Sequence, residues 1–131
     1  MKAVKLFSML AIVVLTLAGS LAAQEKAEKA MKEVAIKGEI IDTKCYLTGM
    51  MGGRGEDHKD CAIACAKGGL PIGILEEKTG KVYVVVPAKG TKGANESLVQ
   101  YAAETVTLKG MFIEKGGTKL FAYSSVEGAK K

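Results

Sequence analysis

The sequence predicts an all-β, strand-dominated domain of five strands with two short helices. Five runs rich in β-branched and aromatic residues, at 34–41, 72–75, 81–86, 104–114 and 118–127, are separated by segments that contain glycine. A helix-compatible segment lies between the third and fourth runs, and a glycine-rich insertion with its own helix follows the first. This is the order of an OB-fold, a small Greek-key barrel, and a five-stranded open sheet or another small barrel is the main alternative.

The first three strands are predicted from alternation and from one turn. Val34, Ile36 and Ile40 share one phase of the first run, and Gly38 interrupts it, which predicts a β-bulge near Gly38. The second and third runs flank the turn at 77–80, so we expect them to form a hairpin.

The last two strands are predicted to form a closing hairpin around Lys115-Gly116-Gly117. In the fourth run, Val106, Leu108 and Phe112 are expected to point towards the core. The helix before this hairpin is predicted at 95–102.

The insertion after the first strand is predicted to be a loop followed by a helix. Residues 45–55 are rich in glycine, methionine and polar residues, which is typical of a loop. Asp57 is a candidate N-cap, and the run after it is compatible with a helix at 58–67, which ends before Gly68-Gly69.

The N-terminal 23 residues have the three-part pattern of a secretory signal peptide. Lys2 and Lys5 precede an apolar run at 6–18, and small residues follow at 18–23. Thirteen apolar residues are fewer than the about 20 that a membrane-spanning helix needs. We therefore expect cleavage near residue 23 and no stable membrane insertion afterwards.

The remaining chain is predicted to be a flexible tether at 24–32 and one OB-like domain at 33–128. The tether is rich in Ala, Lys and Glu and has no apolar stripe. A cleaved signal peptide implies a periplasmic or secreted location.

The charge pattern argues against nucleic-acid binding. The chain has 19 Lys and Arg against 14 Asp and Glu, a formal net charge of +5, which falls to +3 once Lys2 and Lys5 are removed. Arg54 is the only arginine, and the lysines are scattered among acids rather than gathered in a basic block. The expected partner is an unidentified protein or small ligand.

All three cysteines and the only histidine lie within 45–65. On a helix, His58, Cys61 and Cys65 are spaced i, i+3, i+7 and fall within about 60° of one face. Cys45, on the preceding loop, is able to close over that face. Three thiolates and one imidazole suit one transition-metal ion in a tetrahedral site, zinc first and copper(I) as the alternative.

A disulfide is the alternative for the same residues. The spacing differs from the usual zinc motifs with C-x₂-C pairs. In an oxidising compartment, Cys45 would then pair with Cys61 or Cys65 and staple the insertion to the sheet, with the third thiol buried and His58 only starting the helix.

The pattern resembles that of small bacterial secreted or periplasmic proteins with an OB-like barrel. The residues that carry the resemblance are Gly38-x-Ile40-x-Asp42-x-x-Cys45-Tyr46, His58-x-x-Cys61-Ala62-x-x-Cys65, Gly69-x-Pro71 and Val106-x-Leu108-x-Gly110. The resemblance supports the fold and the four candidate ligands, and it implies no known reaction.

The sequence thus favours a metal-binding module over an enzyme. Four protein ligands leave no open position on the ion, so we expect no hydrolytic catalysis. The rival from another class is a disulfide-stapled interaction module without metal.

Overall fold

The computed structural model describes residues 32–128. The predicted signal peptide and all of the predicted tether except Lys32 lie outside the described residues. From Glu33 on, the described chain forms one compact unit. None of the helices in this part of the chain is long and apolar enough to cross a membrane.

Five strands carry the fold, and their pairings close on themselves. The strands are β1 (Val34–Asp42), β2 (Ile72–Glu76), β3 (Val82–Pro87), β4 (Thr105–Lys115) and β5 (Thr118–Glu127). Each strand pairs with two others in the closed order β1-β2-β3-β5-β4, antiparallel except for β3 with β5. The prediction of a strand-dominated domain with five strands and short helices is confirmed.

The bulge predicted near Gly38 is wrong. Gly38 lies opposite Glu76 of β2 and Val106 of β4, and the register of β1 runs through it without a shift. A Cβ at this position would collide with the backbone of Leu75, so the glycine lets β1 and β2 approach closely. A register shift lies instead in the pairing of β4 with β5: Lys109 lies opposite Ser125 and Gly110 opposite Tyr123, so Ser124 of β5 is the extra residue.

The inside of the closed sheet holds the hydrophobic core. Its largest fully buried apolar side chains belong to Phe121, Ile40, Ile74, Leu98 and Leu108. Val106 and Leu108 are buried and Phe112 packs against the core, as the sequence predicted. The alternating apolar residues in the first half of β4 therefore fold as their periodicity indicates.

The helices are short, and the insertion has two of them rather than one. They are α1 (Thr43–Thr48), α2 (Lys59–Lys67) and α3 (Asn95–Leu98), with 3₁₀ turns at Met50–Gly52, Glu56–His58 and Val99–Tyr101. The segment predicted as a loop from residue 45 thus begins inside a helix. The helix predicted at 58–67 is present as α2, but its N-cap is His58 rather than Asp57.

Candidate metal centre

Cys45 is placed by the helix that follows β1 directly. The Asp42 side chain accepts a hydrogen bond at Oδ1 from the backbone N–H of Lys44, at 3.0 Å, and so caps α1. Gly49 ends the helix in the left-handed conformation, and its N–H points to the carbonyl groups of Cys45 and Tyr46. Cys45 sits in the only full turn between these caps and is 2% exposed.

The loop after α1 is fastened to the helix and to the sheet. Gly53 has a φ of +68°, and a Cβ there would lie 2.6 Å from the Cα of Tyr46, so only glycine fits against the Cys45–Tyr46 backbone. The backbone N–H of Gly55 donates to Oε1 of Glu39 at 2.6 Å, and Arg54 lies 3.2 Å from the other Glu39 oxygen. β1 therefore holds both ends of the segment that carries Cys45.

The helix α2, which carries Cys61 and Cys65, is held against the domain at both ends. Lys59, its first residue, forms an ion pair with Glu104 at 2.9 Å. Beyond its last turn, the Asn95 amide donates to the carbonyl groups of Ala66 and Leu70, at 2.8 and 2.7 Å. Two buried side chains on one helical face, Ala62 and Ala66, dock the helix, and this leaves both thiols half-buried at the edge of the docked face.

The structure brings the candidate ligands together as two groups that share Cys45. The thiols of Cys45, Cys61 and Cys65 form the first group, in which all ligand atoms lie within 4.8 Å of one another. Asp42, Cys45 and His58 form the second group by the same distance. Three of the four predicted ligands thus lie together in the first group. His58 lies with Cys45 and Asp42 in the second group, rather than in one compact set with all three thiols.

His58 and Asp42 are buried with unsatisfied polar atoms. His58 is 1% exposed and Asp42 is 2% exposed. Neither ring nitrogen of His58 has a hydrogen-bond partner, and neither does Oδ2 of Asp42. These three are the only such buried side-chain atoms in the described range 32–128, and buried polar atoms are nearly always paired in folded proteins.

The electrostatics of the site favour an ionised Asp42 beside protonated thiols. Burial opposes ionisation of Asp42, but interactions with the Cys45 and Cys65 thiols and with backbone N–H groups outweigh it, so its pKa lies below the ordinary value. Hydrogen bonding to Asp42, followed by burial, raises the pKa of Cys45 to about 12, and the same causes raise the pKa of Cys65.

Asp42 is the residue of the site that the sequence analysis missed. It lies at the end of β1, where the sequence predicts that a loop begins. Two signals pointed to it: it is three residues before Cys45, and an Asp that ends a buried strand just ahead of a glycine-terminated segment is a candidate N-cap.

The cysteines are all free thiols in this structure. Comparison of the chain with models of protein families, with curated proteins and with solved structures found no match. The functional argument therefore depends on the geometry and chemistry of the site itself.

Proposed function

We propose that the protein is an extracytoplasmic metal-binding module that holds one transition-metal ion through Cys45, His58, Cys61 and Cys65, for structure or for metal handling. The observation that carries the proposal is the convergence of three free thiols within 4.8 Å, from two separate helices. Thiolates are the preferred ligands of zinc and copper(I).

The separations fit an ion with small adjustments. Two sulfurs bound to tetrahedral zinc at about 2.3 Å lie about 3.8 Å apart. Thiols that are no more than 4.8 Å apart therefore need to approach by about 1 Å at most. The fastened ends of α2 and the packed loop after α1 limit larger movements, which supports a largely preformed site.

His58 supplies the fourth ligand in this proposal. One of its ring nitrogens lies within 4.8 Å of the Cys45 thiol, which belongs to both groups. Both of its nitrogens are buried and unpaired, so a nitrogen lone pair is free to bind an ion. A borderline nitrogen beside three sulfurs favours zinc, whereas copper(I) is satisfied by three thiolates alone.

The fold and the location are part of the same proposal. The closed order β1-β2-β3-β5-β4, with β3 parallel to β5, supports an OB-like Greek-key barrel. The signal-peptide pattern at 1–23 supports export to the periplasm or the medium. An unidentified protein or small ligand is the expected partner, and no nucleic acid is.

Elemental analysis with a thiol count tests the metal directly. Protein purified without chelators is expected to carry one equivalent of zinc or copper and to release three thiols on denaturation. Cys61→Ser is expected to lose the metal, and Met51→Ala, which changes a 76% exposed side chain on the neighbouring loop, is the matched control that keeps it.

His58→Ala separates the two metals. We expect it to reduce zinc binding strongly and to leave copper(I) binding by the three thiols nearly intact. Absence of metal together with a single free thiol would overturn the proposal in favour of a disulfide-stapled interaction module.

A further inference from the structure

Asp42 and His58 both have buried polar atoms without a hydrogen-bond partner, and one hydrogen bond between them would satisfy one atom of each side chain. A neutral imidazole has one N–H donor and one nitrogen lone pair, and an ionised carboxylate only accepts. Oδ2 of Asp42 lacks a donor, while both ring nitrogens of His58 lack partners. Ligand atoms of the two side chains lie within 4.8 Å of each other, so a hydrogen bond of about 2.8 Å requires them to approach by no more than about 2 Å.

We propose that Asp42 is a positioning residue for His58: one ring N–H donates to Oδ2 of Asp42, and the other ring nitrogen binds the metal ion. This inference rests on the proposed function, because the second nitrogen finds its partner only in the ion. Metal-binding histidines commonly donate their remaining N–H to a carboxylate, which fixes the tautomer and the orientation of the ring.

The position of Asp42 on the backbone suits this role. Its other oxygen, Oδ1, is engaged by the backbone N–H of Lys44 at the start of α1, so the carboxylate is held and Oδ2 is left free. The N–H and hydroxyl group of Thr43, the next residue, both contact the carbonyl of Pro71, at 3.3 and 2.8 Å, which fixes the end of β1. The acceptor is therefore rigid before any ion binds.

Two substitutions separate this role from the cap of α1. Asp42→Ser keeps an oxygen that is able to cap the helix but removes the acceptor for His58, whereas Asp42→Asn keeps the shape and the cap but removes the charge. We expect Asp42→Ser to weaken zinc binding about 10- to 100-fold and Asp42→Asn to weaken it less. In chelator, both variants are expected to have the same unfolding midpoint as the wild-type protein. Zinc affinity is measured by competition with a chromophoric chelator.

A double-mutant cycle tests whether Asp42 acts through His58. In the His58→Ala background, Asp42→Ser is expected to change zinc affinity by less than about twofold. An equal loss in both backgrounds would overturn the proposal, because Asp42 would then act on the thiols or the fold. Complete loss of zinc in Asp42→Asn, as in Cys61→Ser, would also overturn it, in favour of direct ligation by Asp42.

The single histidine of the chain allows a readout that needs no substitution. With ¹⁵N-labelled histidine, zinc-loaded wild-type protein is expected to show one tautomer, with one slowly exchanging ring N–H that Asp42→Ser loses. Zinc binding without a protected ring N–H would contradict the role of Asp42 alone. Failure of the wild-type protein to bind zinc or copper(I) at all would instead contradict the proposed function.

Discussion

The closed sheet and the insertion at 43–71 are held in place by different forces. The sheet encloses an apolar core in which Phe121, Ile40 and Leu108 are fully buried. The insertion buries a thiol and an imidazole and is tied down by polar contacts at its ends. The unpaired buried atoms among residues 32–128 lie where the two regions meet, at Asp42 and His58. Under the proposed function, the sheet needs no ligand, whereas a metal ion completes the insertion.

The largest effect is expected inside the sheet. Phe121 is fully buried and packs against Phe112, with ring centroids 5.1 Å apart. Phe121→Ala is expected to lower the free energy of unfolding by about 3–5 kcal/mol, measured by urea denaturation in chelator. The control Leu47→Ala, in the insertion, changes a side chain that is 68% exposed and should cost less than about 0.5 kcal/mol. A loss below about 1 kcal/mol at Phe121 would contradict a core centred in the sheet.

The next effect is expected in the loop of the insertion. Gly53→Ala combines a left-handed backbone with a collision against Tyr46, and we expect a cost of about 2 kcal/mol together with weaker zinc binding, because the turn that carries Cys45 must shift. Gly52→Ala is the matched control: it has a φ of +78° but nothing within 4 Å of its Cβ, so only the backbone strain of about 1 kcal/mol applies. Equal costs in the two variants would show that the loop does not pack on α1.

The strands of the sheet were the more predictable region because neighbouring residues in the sequence determine where each strand and turn lies. Residues 105–109 of β4 alternate between apolar and polar, β5 contains the apolar run 120–123, and Gly116 and Gly117 supply the turn. Both strands and the buried face of β4 therefore follow from the local sequence. The β-bulge predicted near Gly38 was wrong because a glycine inside a strand indicates either a bulge or a close backbone approach. Only the position of Leu75 in the folded sheet decides between them.

The insertion was less predictable because its contacts are not local. Six residues of α1 have no measurable helical period, and their helix depends on caps supplied by Asp42 and Gly49. The spacing of Cys61 and Cys65 placed them on one face of a helix, and Cys45 was expected to join them. The position of His58 beside Asp42 depends on how β1 ends, which no pattern within the insertion specifies.

A smaller effect is expected where α2 is fastened to the domain. Asn95→Ala removes two hydrogen bonds to the carbonyl groups of Ala66 and Leu70, and we expect a cost of about 1–2 kcal/mol with faster hydrogen exchange at the end of α2. Gln100→Ala is the control, since the Gln100 amide donates to the Ser97 carbonyl on the exposed surface. If both variants had the same stability, the fastening of α2 would not depend on Asn95.

The last effect is absent at neutral pH, because it is a pH dependence confined to alkaline solution. The Cys45 thiol has an ordinary pKa of 9.0 and a raised pKa of about 12 in the folded protein. The unfolded chain therefore ionises first, so the stabilising effect of the buried thiol is complete below pH 9 and is lost as the pH rises towards 12.

The test compares urea midpoints of metal-free wild-type protein and Cys45→Ser from pH 8 to pH 11 under reducing conditions. Wild-type protein is expected to lose more stability than the variant across this range, because only the wild-type protein has the Cys45 thiol. Lysines and tyrosines titrate in both proteins, so their contributions cancel in the comparison. Parallel curves would mean that Cys45 is not held as a thiol by Asp42. The same proton must leave when an ion binds, so zinc affinity of the wild-type protein should rise with pH even below pH 9.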